Sequence, residues 1–237
     1  MSQIPAPRWA QTLNRLTSYL SQDFLGGPRP LALSTVINFQ KGGTVVFVAG
    51  LMWWFGNWRV PAFVYLALHG TYGLCWLLKH AAFRDPRWDV RVTIGGAAMA
   101  FAAVLGPYWV APVLLISPIL GDRPDPGAAV LAASVAMHTF GLALMMSADA
   151  QKHFTRRYHP GLITDGLFAR TRNPNYLGEM MVYGSYALLV RHWLPWTILG
   201  FVWGVLFLPN MLMKDQSLSR HPEWPAYRAR TGLLLPR

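Results

Sequence analysis

Gly166-Leu-Phe-Ala-Arg-Thr-Arg-Asn-Pro-Asn-Tyr-Leu-Gly-Glu179 runs without a break into Met180-Met-Val-Tyr-Gly-Ser-Tyr-Ala-Leu-Leu-Val190. Two arginines, two asparagines, a tyrosine and a glutamate stand at the threshold of an apolar run. Asn173 is a favourable N-cap and Pro174 a favourable first helical residue, so the spacing predicts a helix from this point. Asn175 and Glu179, four apart, share one face of that helix. A carboxylate carried into a membrane helix is costly and marks a functional site. Arg170 and Arg172 lie just outside, where free backbone N–H groups already favour an anion. The stretch reads as a binding site at a membrane surface, with charge for phosphate outside and polar groups for a ring within.

Composition supports the membrane reading. The 237-residue chain is 53% hydrophobic and only 13% charged, with 11 tryptophans. Soluble domains carry about 25% charged residues. Apolar runs with interfacial aromatics predict an all-α, polytopic membrane helical bundle. The net charge of +11 would suit nucleic acid in a soluble protein, but here the basic residues fall between apolar runs, so no nucleic-acid partner is expected. The single cysteine, Cys75, allows no intrachain disulfide. Met1 to Gly27 lacks an early apolar core, so no cleavable signal peptide is expected. Arginine outnumbers lysine 17 to 4, which suits a GC-rich bacterial genome and a bacterial inner membrane.

About six spans are predicted: Ser34–Trp58, Val60–Leu78, Val92–Ile116, Gly127–Ser147, Pro174–Val190 and Trp193–Met213. They divide the chain into an N-terminal segment (1–33), a four-helix substrate side (34–147) and a C-terminal region with the cofactor site (148–237). Within 1–33, apolar residues at 9, 13, 16 and 20 have helical spacing, giving either a helix on the membrane surface or a mobile tail. Lys41 is expected to snorkel to the near interface; the alternative is that Asn38, Gln40 and Lys41 line a polar cavity. Gly106-Pro107 is expected to kink or end the third span, and Asp122 to Pro126 to form a polar turn. Seventeen of the 21 basic residues fall in the N-terminal segment, the 79–91 and 152–172 loops and the tail. Only Arg59, Arg123 and Arg191 fall in the alternate loops. That bias predicts both termini on the cytoplasmic side.

Three segments on that side carry chemistry. Asp149, Lys152, His153 and Arg156 fall on one helical face; alone they are also what a salt-bridged helix end looks like. The 166–179 stretch is the second. The third is the tail from Lys214-Asp215 through Arg220 and Tyr227, which alone would read as a basic amphipathic tail on anionic lipid. Together they offer basic groups for phosphates and an acid for a ribose or amide. The glycine pattern of a dinucleotide-binding α/β unit is missing, and no His or Cys spacing suggests a metal.

The run Gly166-Leu-Phe…Asn175-Tyr-Leu-Gly-Glu179…Ser185-Tyr-Ala-Leu-Leu-Val-Arg-His-Trp-Leu-Pro195 resembles the C-terminal domain of membrane steroid 5α-reductases and related sterol C=C reductases. Ala148-Asp-Ala-Gln-Lys152 and Lys214-Asp215…Trp224…Tyr227…Pro236 are similar to that superfamily too. The likeness spans roughly 140–237. It implies NADPH bound on the cytoplasmic side and reduction of a conjugated C=C bond in a lipid-soluble substrate. By position it implies Asn175 and Glu179 at the nicotinamide, with Asp149, Lys152, Arg156, Arg170, Arg172, Asn173, Tyr176, Lys214, Asp215, Arg220 and Tyr227 around the remainder of the cofactor. Steroid 5α-reductases use a Glu and a Tyr on earlier helices to grip the substrate carbonyl, yet the early spans here contain no acid. Glu179, Tyr183 and Tyr72 are the catalytic candidates, with Tyr65 and His69 as further possible proton sources. Arg172-Asn-Pro-Asn-Tyr-Leu-Gly178 is also similar to isoprenylcysteine and phospholipid methyltransferases, which implies S-adenosylmethionine as the alternative cofactor. Those families usually carry paired glutamates where this chain has Asp215-Gln216. The third expectation is a lipid-binding protein without turnover.

Overall fold

The computed structural model describes residues 4–121 and 124–237. Asp122 and Arg123, part of the predicted polar turn and of the basic-residue pattern, lie outside these, as do residues 1–3. The chain folds almost wholly into helices: α1 (Arg8–Gln22), α2 (Leu33–Phe55), α3 (Val60–Phe83), α4 (Ile94–Ala100), α5 (Val110–Ile116), α6 (Ala128–Tyr158), α7 (Pro174–Val190), α8 (Trp193–Val202), α9 (Leu208–Leu218) and α10 (Trp224–Arg230). A two-residue pair, β1 (Leu31–Ala32) against β2 (Arg91–Val92), is antiparallel with Leu31 opposite Val92. It fixes the starts of α2 and α4 side by side, and the Arg91 guanidinium reinforces it by donating to the carbonyls of Arg29 and Pro30.

Among the described residues four helices are long and apolar enough to cross a membrane: Val60–Phe83, Ile94–Ile116, Ala128–Tyr158 and Trp193–Leu218. Val46, Trp54, Leu78, Phe140 and Phe201 face outward, each more than half exposed. So many large apolar side chains on the outer surface fit a bundle solvated by lipid, and the chain has the architecture of a membrane protein. Trp54, Trp58, Trp193 and Trp196 are exposed around the two hairpins that follow α2 and α7, where ring and N–H suit a membrane–water boundary.

Proline does not end the third span but distorts it, the α geometry giving way to a 3-10 turn over Gly106–Trp109. Ile94–Ile116 runs through as one element because Phe101–Leu105 widens into a π turn ahead of Pro107. Trp203–Phe207 does the same ahead of Pro209. A proline ring clashes with the carbonyl four residues earlier and lacks an N–H, and a widened turn absorbs both faults.

Other boundaries differ from the hydropathy reading. α3 continues to Phe83, because a helix keeps its backbone bonds after its side chains turn polar, and α6 continues to Tyr158, as the helical face of Asp149, Lys152, His153 and Arg156 implies. α1 is ordered rather than a loose tail. It buries Ala10 and packs against α4 and α9, while Trp9, Leu16 and Tyr19 stay outward with Arg8 and Arg15. Asn14 donates to Asn210 at 2.8 Å, tying α1 to α9.

Two glycine contacts set the helices around the site. A Cβ on Gly178 would stand 2.5 Å from the Gly141 carbonyl oxygen and 2.6 Å from the Met145 nitrogen. α6 and α7 therefore meet backbone to backbone, as small residues permit in membrane bundles. A Cβ on Gly73 would stand 2.2 Å from the Lys41 carbonyl oxygen, so α3 presses on α2 beside Lys41.

Candidate functional site

α7 starts at Pro174 as its sequence predicts, but the capping reason does not hold. The Asn173 side chain makes no cap. Its Nδ2 donates to the Leu233 carbonyl at 2.8 Å, and its Oδ1 accepts from Lys214 Nζ at 3.1 Å. The C-terminal tail lies along residues 170–173 and claims their polar groups. Arg172 N donates to Gly232 O, and Gly232 N to Arg170 O, both at 3.0 Å. The Arg172 guanidinium, on a residue 7% exposed, binds both Asp215 oxygens from Nε at 3.1 Å and the Thr231 carbonyl from Nη1 at 2.6 Å. It also lies 5.6 Å from the Trp224 ring.

This corrects part of the sequence reading. Arg172, Asn173, Asp215 and Tyr227 clamp the tail, because an arginine with a buried carboxylate partner beside it satisfies itself within the protein. Arg170 is exposed, and its carbonyl serves the tail. The Tyr227 hydroxyl donates to the Phe168 carbonyl at 2.9 Å. Burial pushes that phenol up to about 12, with the nearby Arg172 charge pulling the other way.

The remaining candidates meet around a cleft of about 560 Å³ between the polar end of α6, the start of α7 and α9. Its lining includes Arg87, Lys152, Arg156, Lys214 and Arg220, five basic side chains and no carboxylate, together with Asn175 and Tyr176. Arg87, Asn14, Asn210 and His221 also line it, and sequence reasoning had not placed them there. Arg87 and His221 come from basic segments on the predicted cytoplasmic side, Asn14 from the N-terminal helical stretch and Asn210 from the inner end of the last predicted span. The size falls within the ordinary range of ligand pockets, roughly 300–1,000 Å³.

The wall from the 84–89 turn is braced by ions. Asp85 accepts from Arg87 at 2.8 Å and from Lys152 at 3.2 Å. Burial alone would raise the Asp85 carboxyl, but the Arg87 hydrogen bonds and the Lys152 and Arg87 charges outweigh it and hold it well below the usual carboxylate range. Lys152 also meets Asp149 at 3.1 Å, and Asp149 pairs with Lys79. Asp149 and Lys152 are thus ion-paired with each other as the helical face predicted, with Lys79 and Asp85 as the missed members. Among the described residues Arg156, Lys214 and Arg220 form no ion pair. Lys214 Nζ donates to the Arg172 carbonyl at 2.7 Å and Arg220 Nη1 to Ser217 Oγ at 2.8 Å.

The Asn175 side-chain oxygen is buried on the cleft with no hydrogen-bond partner. Tyr176 packs edge-on against Phe207 at 4.9 Å. One turn deeper, Glu179 Oε1 accepts from the Tyr72 hydroxyl at 3.2 Å. Beyond it lies a wholly buried aromatic cluster. Tyr183 stacks on Tyr108 at 3.8 Å between ring centres and meets Tyr72 edge-on at 5.5 Å. Lys41 enters this cluster: 3% exposed, it donates to the Tyr183 hydroxyl and lies 4.5 Å from the Tyr72 ring centre. The expectation that Lys41 snorkels outward is therefore overturned. α3 comes so close at Gly73 that the lysine is walled in. The three catalytic candidates do come together, with Lys41 as their unexpected neighbour.

Comparison with known proteins bears on the chain as a whole. It is 44% identical over 41 residues to an uncharacterized protein of Schizosaccharomyces pombe, a match covering 17% of this chain and 15% of the yeast protein. So short a match leaves most of the relative's length unaccounted for. A family model described as "Protein of unknown function (DUF1295)" matches residues 28–231. That match takes in α2 to α10 and every cleft residue but Asn14, leaving out α1 and the tail residues 232–237, and the chain belongs to the DUF1295 family.

Proposed function

We propose that the protein is a membrane-embedded, NADPH-dependent reductase of a conjugated C=C bond in a lipid-soluble substrate. One observation carries the reading: a nucleotide-sized, carboxylate-free cleft with five basic side chains ends on the unpartnered Asn175 side-chain oxygen, with Glu179 and two tyrosines directly behind it. The lining suits such a cofactor chemically. Arg156, Arg220 and Lys152 are donors for phosphate oxygens, Arg being the better bidentate partner. The Asn175 oxygen lacks a donor, which a carboxamide provides. When bound, the cofactor supplies a hydride for the β-carbon of an enone. Glu179 and Tyr72 orient what lies at the cleft floor, and the Tyr183 and Tyr72 hydroxyls are positioned as proton sources inside the bundle.

In this reading α2 and α7 complete six crossings, α7 at 17 residues being at the short end of the range. Both termini face the cytoplasm, and a bacterial inner membrane fits the arginine-rich composition.

The alternative, an S-adenosylmethionine-dependent methyltransferase acting on a lipid, keeps the Arg172…Gly178 pattern in its favour. However, Arg172 is spent on Asp215, and a cationic sulfonium is poorly matched to a cleft that is basic throughout.

The test is a thermal shift of the purified full-length protein with each cofactor. NADPH is expected to raise the melting temperature and S-adenosylmethionine not to, and Glu179→Gln is expected to weaken NADPH binding while expressing normally. A shift with S-adenosylmethionine alone would overturn the reductase; stabilisation by neither would leave a lipid-binding protein without turnover.

A further inference from the structure

Lys41 has no ion pair among the described residues, although it is 3% exposed in the middle of a helical bundle. An ammonium carries three N–H donors, and the hydrogen bond to the Tyr183 hydroxyl uses one. The rest of its surroundings is ring: Tyr72 at 4.5 Å, Tyr183 at 4.9 Å, Trp76 at 5.4 Å and Tyr108 at 5.6 Å to the centroids. Ring faces steady a cation but accept no strong hydrogen bond. The charged groups acting on it are Glu179 of α7 and Lys79 of α3. Glu179 forms no ion pair with it, and the Glu179 Oε1 accepts from the Tyr72 hydroxyl. A buried cation with donors to spare is costly unless something completes it.

A second observation points to a missing polar atom in the same aromatic cluster, on the far side of the Tyr108 and Tyr183 rings that Lys41 faces. Tyr186, 2% exposed, and His69, fully buried, stack at 4.4 Å beside Tyr183, and the Tyr186 hydroxyl and His69 Nε2 have no partner. Against Tyr108, Tyr183 and Tyr186 lies a void of about 10 Å³, about what one water-sized atom needs. A phosphate or carboxylate is too large for it; a single carbonyl oxygen is not.

We propose that Lys41 is the oxygen-binding residue of the lipid site: it donates to the carbonyl oxygen of a lipid-soluble substrate, with Tyr183 beside it, and stabilises negative charge on that oxygen. Cation and phenol together are donors set in advance where charge develops, inside walls that exclude water. Lys41 thereby does the task for which the early spans have no acid. The choice of an enone carbonyl rests on the reductase reading; the unpaired cation among aromatic rings stands apart from it.

The titration itself needs no nucleotide; NADPH enters only as a control. Full-length protein in detergent is titrated near neutral pH with a 6-alkyl-2-naphthol, a lipid-soluble phenol whose ionised form is told apart by its excitation spectrum. Wild type is expected to hold it as the naphtholate. Lys41→Met is expected to hold it neutral, the ionised fraction falling about tenfold or more, as for loss of a charged hydrogen bond, with Lys41→Arg restoring it. An unchanged melting temperature and NADPH affinity of Lys41→Met would show the bundle and cleft intact; should that variant not accumulate, Lys41→Gln is read in its place. Naphtholate retained without the lysine, or only neutral naphthol in wild type, overturns the proposal. Naphtholate binding without NADPH binding would sink the reductase and leave the oxygen site standing.

Discussion

Arg156 and Arg220 lie within electrostatic range of each other at the cleft, each without an ion pair among the described residues. Two like charges held together by the fold are relieved by a polyanion, which is why they are the strongest phosphate candidates. Arg156→Ala and Arg220→Ala are each expected to weaken NADPH roughly tenfold, as loss of a charged hydrogen bond does, and to flatten the salt dependence of binding. Calorimetry at low and high salt measures both effects, and an affinity unmoved by either substitution removes these residues from the site. Lys152 should be less sensitive, since Asp149 and Asp85 already use its charge. The sequence shows that such basic groups exist but not which are spent. Arg172 and Arg156 are the same residue type, yet one is closed by Asp215 and Thr231 and the other is left open. Lys41 was misread for the same reason: its exposure depends on α3, whose approach at Gly73 has no local signature.

Elements were more legible than residues, and their middles more than their ends. Hydropathy locates the apolar stretches because lipid demands them. It does not locate where α6 stops, since Gln151 to Tyr158 continue the helix with polar groups in the cleft wall. The tail was the least readable element. Its Trp224 and Tyr227 are buried against the 168–173 segment, a pairing of distant residues that no periodicity announces. Docking of the tail is expected to depend on pH through Tyr227, whose folded-state value of about 12 is raised chiefly by burial. An unfolded phenol titrates near 10, so below about pH 10 the phenol is neutral in both states and its contribution is complete. Between about pH 10 and pH 12 the detached tail ionises while the docked one does not, and docking weakens as pH rises. Limited proteolysis within 219–237, followed from about pH 9 upward, should quicken across that window. In Tyr227→Phe the step at alkaline pH should disappear, although the tail is looser throughout for want of the Phe168 bond. An identical step in that variant would assign the transition to another group.

At the scale of the whole molecule, the ends of the chain are joined. The Ile4 N–H donates to Ser219 Oγ at 2.9 Å and the Ala6 N–H to Gln216 Oε1 at 3.0 Å. The N-terminal segment and the tail therefore lie at one end of the bundle, together with the β pair, the 84–89 turn and the cleft. The basic residues crowd that same end, and the tryptophan-rich hairpins after α2 and α7 mark the other. An even number of crossings follows from joined ends, whatever their orientation. The charge bias then predicts the orientation, both ends cytoplasmic, by the tendency of positive segments to stay on that side. In a bacterial host, a fluorescent protein that matures only in the cytoplasm should be bright when fused to either terminus. Alkaline phosphatase, active only outside, should work when inserted at Gly56–Asn57 or after Arg191 and fail at the ends. Activity at a terminus would turn the bundle over and present the cleft to a compartment without NADPH, so this experiment also bears on the cofactor. Termini on opposite sides would contradict the bonds between Ile4, Ala6 and the end of α9, and with them the packing of α1 on which one wall of the cleft depends.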